Sequence, residues 1–486
     1  MRRTRRGRGR IIETDVLVVG SGAGGAPTAA LLAEAGFQVL LAEEGEWVEQ
    51  GSVAPFSLEQ MDRQYRSGGV TVALGLPSIA YVEGRCAGGG TEVNSGLYYR
   101  PPEQLIDRWR REFHIRDLNF EELTELSETV EADLTVQCAP GPLTPGSTLL
   151  ASGADSLGWR NDEVPRWMQY PSGHQAGLRQ SMTRTYLPRA AAAGARILTG
   201  LRVDRLDFVR GVARAARATL TSGDGNEHVE VRFRNVFVCC GAIHTPALLQ
   251  RSGHRGHVGK TLAVHPTVKL AARFPGDVNV PDDVPVQQVK EFAPSLSFGG
   301  SASHSGLVAL ALSENWAAFS PAVESWRSVL VYYAAIVSEG RGRVVAIPGL
   351  RDPLVTYRLT ARDRALLQSG LARLTHLMLA AGAEAVYPSF RDAPLVRTAR
   401  DVAEMSNAFA VGTSTVMSVH LCSTVPMGEA TDRCGADSWG RVHGCSNVFV
   451  NDSSLLPDAP GVNPQGTVMA LAVRNVRRFV AERRPA

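Results

Sequence analysis

The stretch TDVLVVGSGAGGAPTAALLAEAGFQVLLAEEG, residues 14–45, decides the fold. VLVV is an apolar run too short for a helix and closed by glycine, which reads as a buried strand. The glycines of GSGAGG then turn the chain, APTAALLAEA has the small and apolar residues of a packed helix, and FQVLLAE returns as a second buried strand. Strand, glycine turn, helix and strand make a βαβ unit, so a parallel sheet is predicted, because two strands can run in the same direction only across such a crossover. Gly20, Gly22 and Gly25 form GxGxxG within it. Gly20 permits the tight turn, Gly22 lets the backbone approach a pyrophosphate, and Gly25 lets the helix pack closely, with the helix N-terminus favouring phosphate charge. Glu43 closes the second strand eighteen residues after Gly25, where an acid accepts hydrogen bonds from a ribose. The parts fall in order and predict an adenine dinucleotide. They leave NAD and FAD both open, and with NAD the chain reads as a nicotinamide dehydrogenase.

At 486 residues and 44% hydrophobic, the chain has room for two domains or one two-lobed enzyme. A net charge of +3 is small for that length, and six arginines fall in residues 1–10, which are expected as a disordered basic tail. Without aromatic interleaving or a binding module the tail does not read as a nucleic-acid arm. The chain has 48 arginines against three lysines, Lys260, Lys269 and Lys290, a bias that reads as codon composition. The basic residues run straight into TDVLVV with no cleavage pattern, and there is no run of eighteen apolar residues, so no membrane span is expected. Seven scattered cysteines without a CxxC pair fit reduced thiols, and the cytoplasm is the expected compartment. HExxH and GxSxG are both missing, so no zinc site and no serine-hydrolase elbow is expected.

A second glycine cluster, EGRCAGGGTEVNSGLYYRP at residues 83–101, lies well past the first βαβ unit. Another loop of close backbone suits a long cofactor with a further ring system to seat. GRCAGGGTEVN resembles the first signature of the GMC (glucose-methanol-choline) oxidoreductases, and GAIHTPALLQRSG at 241–253 resembles the second. VHLCSTVPMG at 419–428 and the stretch 440–472 complete the resemblance, which spans nearly the whole chain in family order.

The resemblance implies an α/β fold: a Rossmann-like FAD-binding domain on a parallel sheet, assembled from 11–101, 186–265 and 420–486, with an α+β substrate-binding domain at 266–419 and a lid or cap at 102–185. It implies non-covalent FAD, because Val93 stands where some members carry the histidine that attaches the flavin. Gly88, Gly89, Thr91 and Asn94 of the second loop, Val203 through its backbone at adenine, Asp452 at the ribityl or pyrophosphate part, and Pro464 are the further cofactor contacts it implies. NVFVCCGAIHTP, from residue 235, reads as the last strand of the dinucleotide fold and its turn, with Cys239 and Cys240 as small buried residues.

GVNPQGT, residues 461–467, opens a helix. Taken alone, Asn463 reads as a cap with Pro464 in the first turn. Alongside the resemblance it reads as catalytic. Alcohol oxidation needs a base for the hydroxyl proton and a geometry that aims the carbinol hydrogen at flavin N5. The resemblance places that base at His420, and puts Asn463 where the family has His or Asn, donating to the oxygen as it becomes alkoxide-like. His265 and His443 read as structural, and the remaining histidines have no partner pattern. The implied reaction oxidises a small-molecule alcohol, such as a sugar, amino sugar or other specialised-metabolite alcohol, and passes electrons to O2 or another acceptor. A non-redox lyase of the same fold with structural FAD is the alternative.

Overall fold

The computed structural model describes residues 10–483 apart from 172–176, 223–224 and 281–282. The expected basic tail lies outside the described residues except for Arg10. There the expectation needs correction: Arg10 opens a strand, Arg10–Glu13, paired in parallel with Gly225–Arg232. The partner lies more than two hundred residues away, so nothing local in the arginine run signals it.

VLVV forms the strand Val16–Val19 and VLLA the strand Val39–Ala42, both buried throughout. They sit in a five-stranded sheet ordered Arg196–Leu198, Val39–Ala42, Val16–Val19, Asn235–Val238, Val448–Val450, parallel at every pairing. Continuous apolar strands are what a parallel sheet buried on both faces requires. Helix Gly25–Glu34 packs on helices Tyr186–Ala192 and Gln465–Glu482. Asn235–Val238 is not the last strand of this sheet: Val448–Val450 pairs outside it and draws in the C-terminal block. A four-stranded sheet, Arg10–Glu13, Gly225–Arg232, Val212–Ser222 and Leu201–Val209, lies alongside.

The second large sheet has nine strands and is centred on Thr267–Arg273, Val329–Ile336 and Leu296–Gly300. Thr71–Ala73 and Ile79–Tyr81 join one end and Asn161–Glu163 the other. The stretch after residue 340 folds as a hairpin, Arg341–Val345 with Leu354–Arg358, followed by helix Ala361–Ala380. Thr360 and Asp363 start that helix with a reciprocal capping box. Each sheet has its own apolar core. The stretch 102–185 is shared between them: Ile106, Trp109, Leu123 and Val130 pack into the first core, while Leu150 and Ala154 pack into the second. No helix among the described residues is long and apolar enough to cross a membrane.

Candidate active site

One cavity of about 780 Å³ is walled by residues of both large sheets, within the size range of cofactor and small-molecule sites. Gly20, Gly22, Glu43, Gly89, Asn94 and Val203 line it, as do His420, Asp452, Asn463 and Pro464. Gly25, Gly88 and Thr91 lie behind the wall. Gly25 packs so closely on Gly20 that a Cβ would overlap its carbonyl, which is the close approach the sequence predicts. Thr91 hydroxyl donates to Gly88 O (2.7 Å) and accepts from Met182 N (3.2 Å), so it braces the second glycine loop from behind.

The two glycine loops meet. A Cβ on Gly89 would stand 3.2 Å from Gly22 Cα, and one on Gly22 would project into empty cavity. Gly22 and Ala23 N–H groups have no acceptor among the described residues, and helix Gly25–Glu34 starts without a side-chain cap. Free donors at a helix N-terminus facing an unfilled cradle fit a pyrophosphate. Glu43 organises this cradle. Its Oε2 accepts from Ser21 N (3.0 Å) and Ser21 Oγ (2.6 Å), and its Oε1 from Gly45 N (2.8 Å). Ser21 Oγ in turn accepts from Gly88 N (2.9 Å), so Glu43, Ser21 and Gly88 tie one loop to the other. Burial pushes the Glu43 carboxyl upward, against these lowering bonds.

Asp452 is occupied by the protein in the same manner. Oδ2 accepts from Gly241 N (2.8 Å) and Thr245 Oγ1, and Oδ1 from Ser454 N (2.8 Å). It thereby clamps the start of helix Gly241–Arg251 to the end of strand Val448–Val450. Asn94 donates to Gln465 Oε1 (2.5 Å) and accepts from Gly96 N (2.9 Å), linking the second loop to the C-terminal helix.

Asn463 does not cap that helix, whose N-cap is Pro464 with no side-chain bond; the cap expectation is overturned. Its amide instead lies 3.4 Å from His420 Nε2. His265, expected to be structural, touches His420 directly, with the two Nδ1 atoms 2.8 Å apart. Gly461 N–H donates to His265 Nε2 (3.0 Å), so neutral His265 carries its hydrogen on Nδ1. His420 Nδ1 must then accept, and neutral His420 carries its hydrogen on Nε2. The Asn463 atom placed toward Nε2 is Nδ2; against an N–H the amide must present its oxygen instead, which leaves its NH2 for another acceptor. Burial and then the Lys290 ammonium bring His420 down to about 4. Burial, His420 and Lys290 also hold His265 well below the usual imidazole range. The pair is neutral at ordinary pH.

His443 lies off the cavity and bonds Gly428 O (3.1 Å), holding its turn. His244 had no sequence signal, yet it lines the cavity beside Glu83 (3.8 Å), with burial pulling its imidazole down to about 3. His174 lies outside the described residues. All seven cysteines are free thiols, and no metal-holding cluster occurs among the described residues. The sequence reading also missed Ser21, Gln465 and Gly24. A Cβ on Gly24 would overlap Asn451 O, a contact made across more than four hundred residues and visible only in the fold.

Family models described as GMC oxidoreductase match residues 61–267 and 340–472. An uncharacterised GMC-type oxidoreductase of Sinorhizobium fredii is 40% identical over 95% of this chain and 94% of its own length. A long-chain-alcohol oxidase of Arabidopsis thaliana is 25% identical over 95% of this chain and 68% of its own. The solved pyridoxine 4-oxidase from Mesorbium loti superposes with a TM-score of 0.74 at 20% identity, covering 96% of this chain and 99% of that one.

Proposed function

Because this chain belongs to the GMC oxidoreductases and is an FAD-dependent oxidoreductase, we propose that it oxidises the CH–OH group of a small-molecule alcohol to an aldehyde or ketone, with His420 as general base. The observation that carries the reading is the meeting of His420 and Asn463 on the cavity wall, from positions 43 residues apart. FAD, when bound, supplies the acceptor for the carbinol hydride. The free N–H groups of Gly22 and Ala23 would hold its pyrophosphate, with Gly89 beside them. Glu43 sets the shape of that cradle and keeps lone-pair capacity for the ribose, and Val203 meets the adenine end. Val93 lines the cavity with no nucleophilic atom, which supports non-covalent attachment. To act as base His420 must bare its Nε2, with the shared hydrogen on its own Nδ1 and the Gly461 bond to His265 given up. It then takes the hydroxyl proton while the Asn463 NH2 donates to the oxygen as negative charge builds on it. The segments 11–101, 186–265 and 420–486 hold the cofactor and 266–419 the substrate, with strands Thr71–Ala73 and Ile79–Tyr81 extending the substrate sheet.

The hydrogen bond from Gly461 favours a second reading for His420. With its hydrogen on Nε2, the ring grips the alcohol oxygen as a donor, and the hydroxyl proton leaves to water. Two variants separate these roles under anaerobic conditions. His420→Ala lowers the rate of flavin reduction by about 10²–10⁴-fold if the residue is a positioned base, with FAD still bound. His420→Gln can donate but cannot take the proton, so it falls equally far for a base and stays within roughly tenfold of wild type for a donor. Wild-type rates in both variants would remove His420 from the chemistry. Failure of every alcohol in a broad panel to bleach the wild-type flavin would favour the lyase alternative.

A further inference from the structure

Lysine is rare in this chain, and two of its three lysines lie in the substrate half, Lys290 buried and Lys269 half-buried in the cavity wall. Lys269 lies on strand Thr267–Arg273, whose alternation turns Thr267 and Lys269 to the cavity and Val268 and Leu270 into the core. Directly across the ladder stands Tyr333, also in the cavity wall. The Tyr333 hydroxyl accepts from Gln288 Nε2 (3.3 Å), and its own hydrogen has no acceptor among the described residues. The arginines of the cavity wall are matched: Arg66, Arg85 and Arg351 pair with Glu44, Arg202 with the Asp204 carboxylate, and Arg251 with the Asp204 carbonyl. Lys269 has no carboxylate, carbonyl or aromatic partner among the described residues, and burial alone brings its ammonium down to about 8, which leaves it charged at neutral pH. An unpaired, partly desolvated cation is costly, and that cost is offset when an anion completes it.

Resting on the alcohol-oxidation reading, we propose that Lys269, with the Tyr333 hydroxyl beside it, binds a carboxylate of the substrate, so that the alcohol oxidised is a hydroxy acid with its acid group remote from the carbinol. The spacing sets the length. His265, which touches His420, is four residues from Lys269 along an extended chain, on the order of 13 Å. The wall between carries Ala335 and Met417, both opposite Thr267, which suits a largely apolar stem joining carbinol to carboxylate.

The test uses the FAD-loaded enzyme, with hexanoate and octanoate as ligands that have no carbinol, and 6-hydroxyhexanoate against 1,6-hexanediol as a charged and neutral pair. Calorimetric titration should show the carboxylates binding at least about tenfold more weakly to Lys269→Met than to wild type, as expected for a lost charge-assisted bond, with Lys269→Arg in between. Lys269→Met should melt no lower than wild type without ligand, because an uncompensated charge has been removed. In anaerobic reduction, kcat/KM for 6-hydroxyhexanoate should exceed that for the diol by about 10–100-fold in wild type, and the ratio should collapse toward one in Lys269→Met. Equal carboxylate affinity in wild type and Lys269→Met, or an unchanged ratio, overturns the proposal. If neither alcohol reduces the flavin but carboxylate binding still depends on Lys269, the anion site stands and alcohol oxidation is what fails.

Discussion

Replacing Glu43 by Gln keeps the volume of the side chain and changes only what its two terminal atoms offer. All three groups that reach this carboxylate are donors: Ser21 N, Ser21 Oγ and Gly45 N. A carboxamide has one accepting atom and one donating atom, so one side of it must face a donor. If the NH2 turns to Gly45, that N–H is left buried and unpaired. If it turns to Ser21, the hydroxyl can still satisfy it by accepting, but Ser21 N, which shared the same oxygen, is left facing a donor, and the Oγ that also receives Gly88 N must reorient. Either arrangement costs about 2–4 kcal/mol, the worth of a charge-assisted bond plus the desolvation of an orphaned donor. Because the damage falls on the two loops that form the cradle, FAD affinity should drop by roughly two orders of magnitude. Titration of apoprotein with FAD and the flavin-to-protein absorbance ratio of the purified variant both read this out. Ser21→Ala should weaken FAD through the same relay, and adding Glu43→Gln to it should cost less than the sum. A Glu43→Gln protein that binds FAD within twofold of wild type, with an unchanged melting temperature, would refute the claim that the carboxylate organises the loops.

Asn463→Ala should slow anaerobic flavin reduction by about 10²-fold, since one donor to the developing alkoxide is lost, and it should combine sub-additively with His420→Ala because both act on one oxygen; full additivity in stopped-flow traces would separate the two residues. The pH dependence of flavin reduction follows from a His420 held down to about 4: if the residue is a base, the rate is level between about pH 6 and pH 8 and falls only as acidification begins to protonate the imidazole, whereas an unperturbed imidazole would bend the profile near about 6.5. A bend near neutrality that disappears in His420→Gln would contradict that depressed value. Heat or acid precipitation should leave all the flavin in the supernatant as FAD, because Val93 has nothing to bond with, and yellow colour retained by the washed pellet would show a covalent link.

The sequence carried the parts of the fold that are local. A buried strand, a glycine turn and a helix are written within thirty residues, and the parallel sheet follows from them. Long-range pairings left no such trace. Arg10 reads as tail because its strand partner is residue 229, and Asn235–Val238 reads as an edge because the strand outside it begins at residue 448. The same limit holds in the site. Asn463 was legible as a functional residue only through resemblance, since an Asn before Pro at a helix start is equally good as a cap. His265 lies 155 residues from His420, with nothing local to pair them. The scarcity of lysine reads in the sequence as codon usage; the fold turns Lys269 into the cavity and sets the Lys290 ammonium over the Tyr99 ring, from where its charge lowers His420.

Gly24 lies under Asn451 so closely that no side chain fits between them, and Asn451 also binds Thr28, Asn475 and the carbonyl of Ala472. The first glycine loop is thus held in shape by residues from the far end of the chain, and Asp452 next door fixes the start of helix Gly241–Arg251. During synthesis the glycine turn leaves the ribosome more than four hundred residues ahead of Asn451, so the packing that fixes its shape cannot form until that later segment has followed.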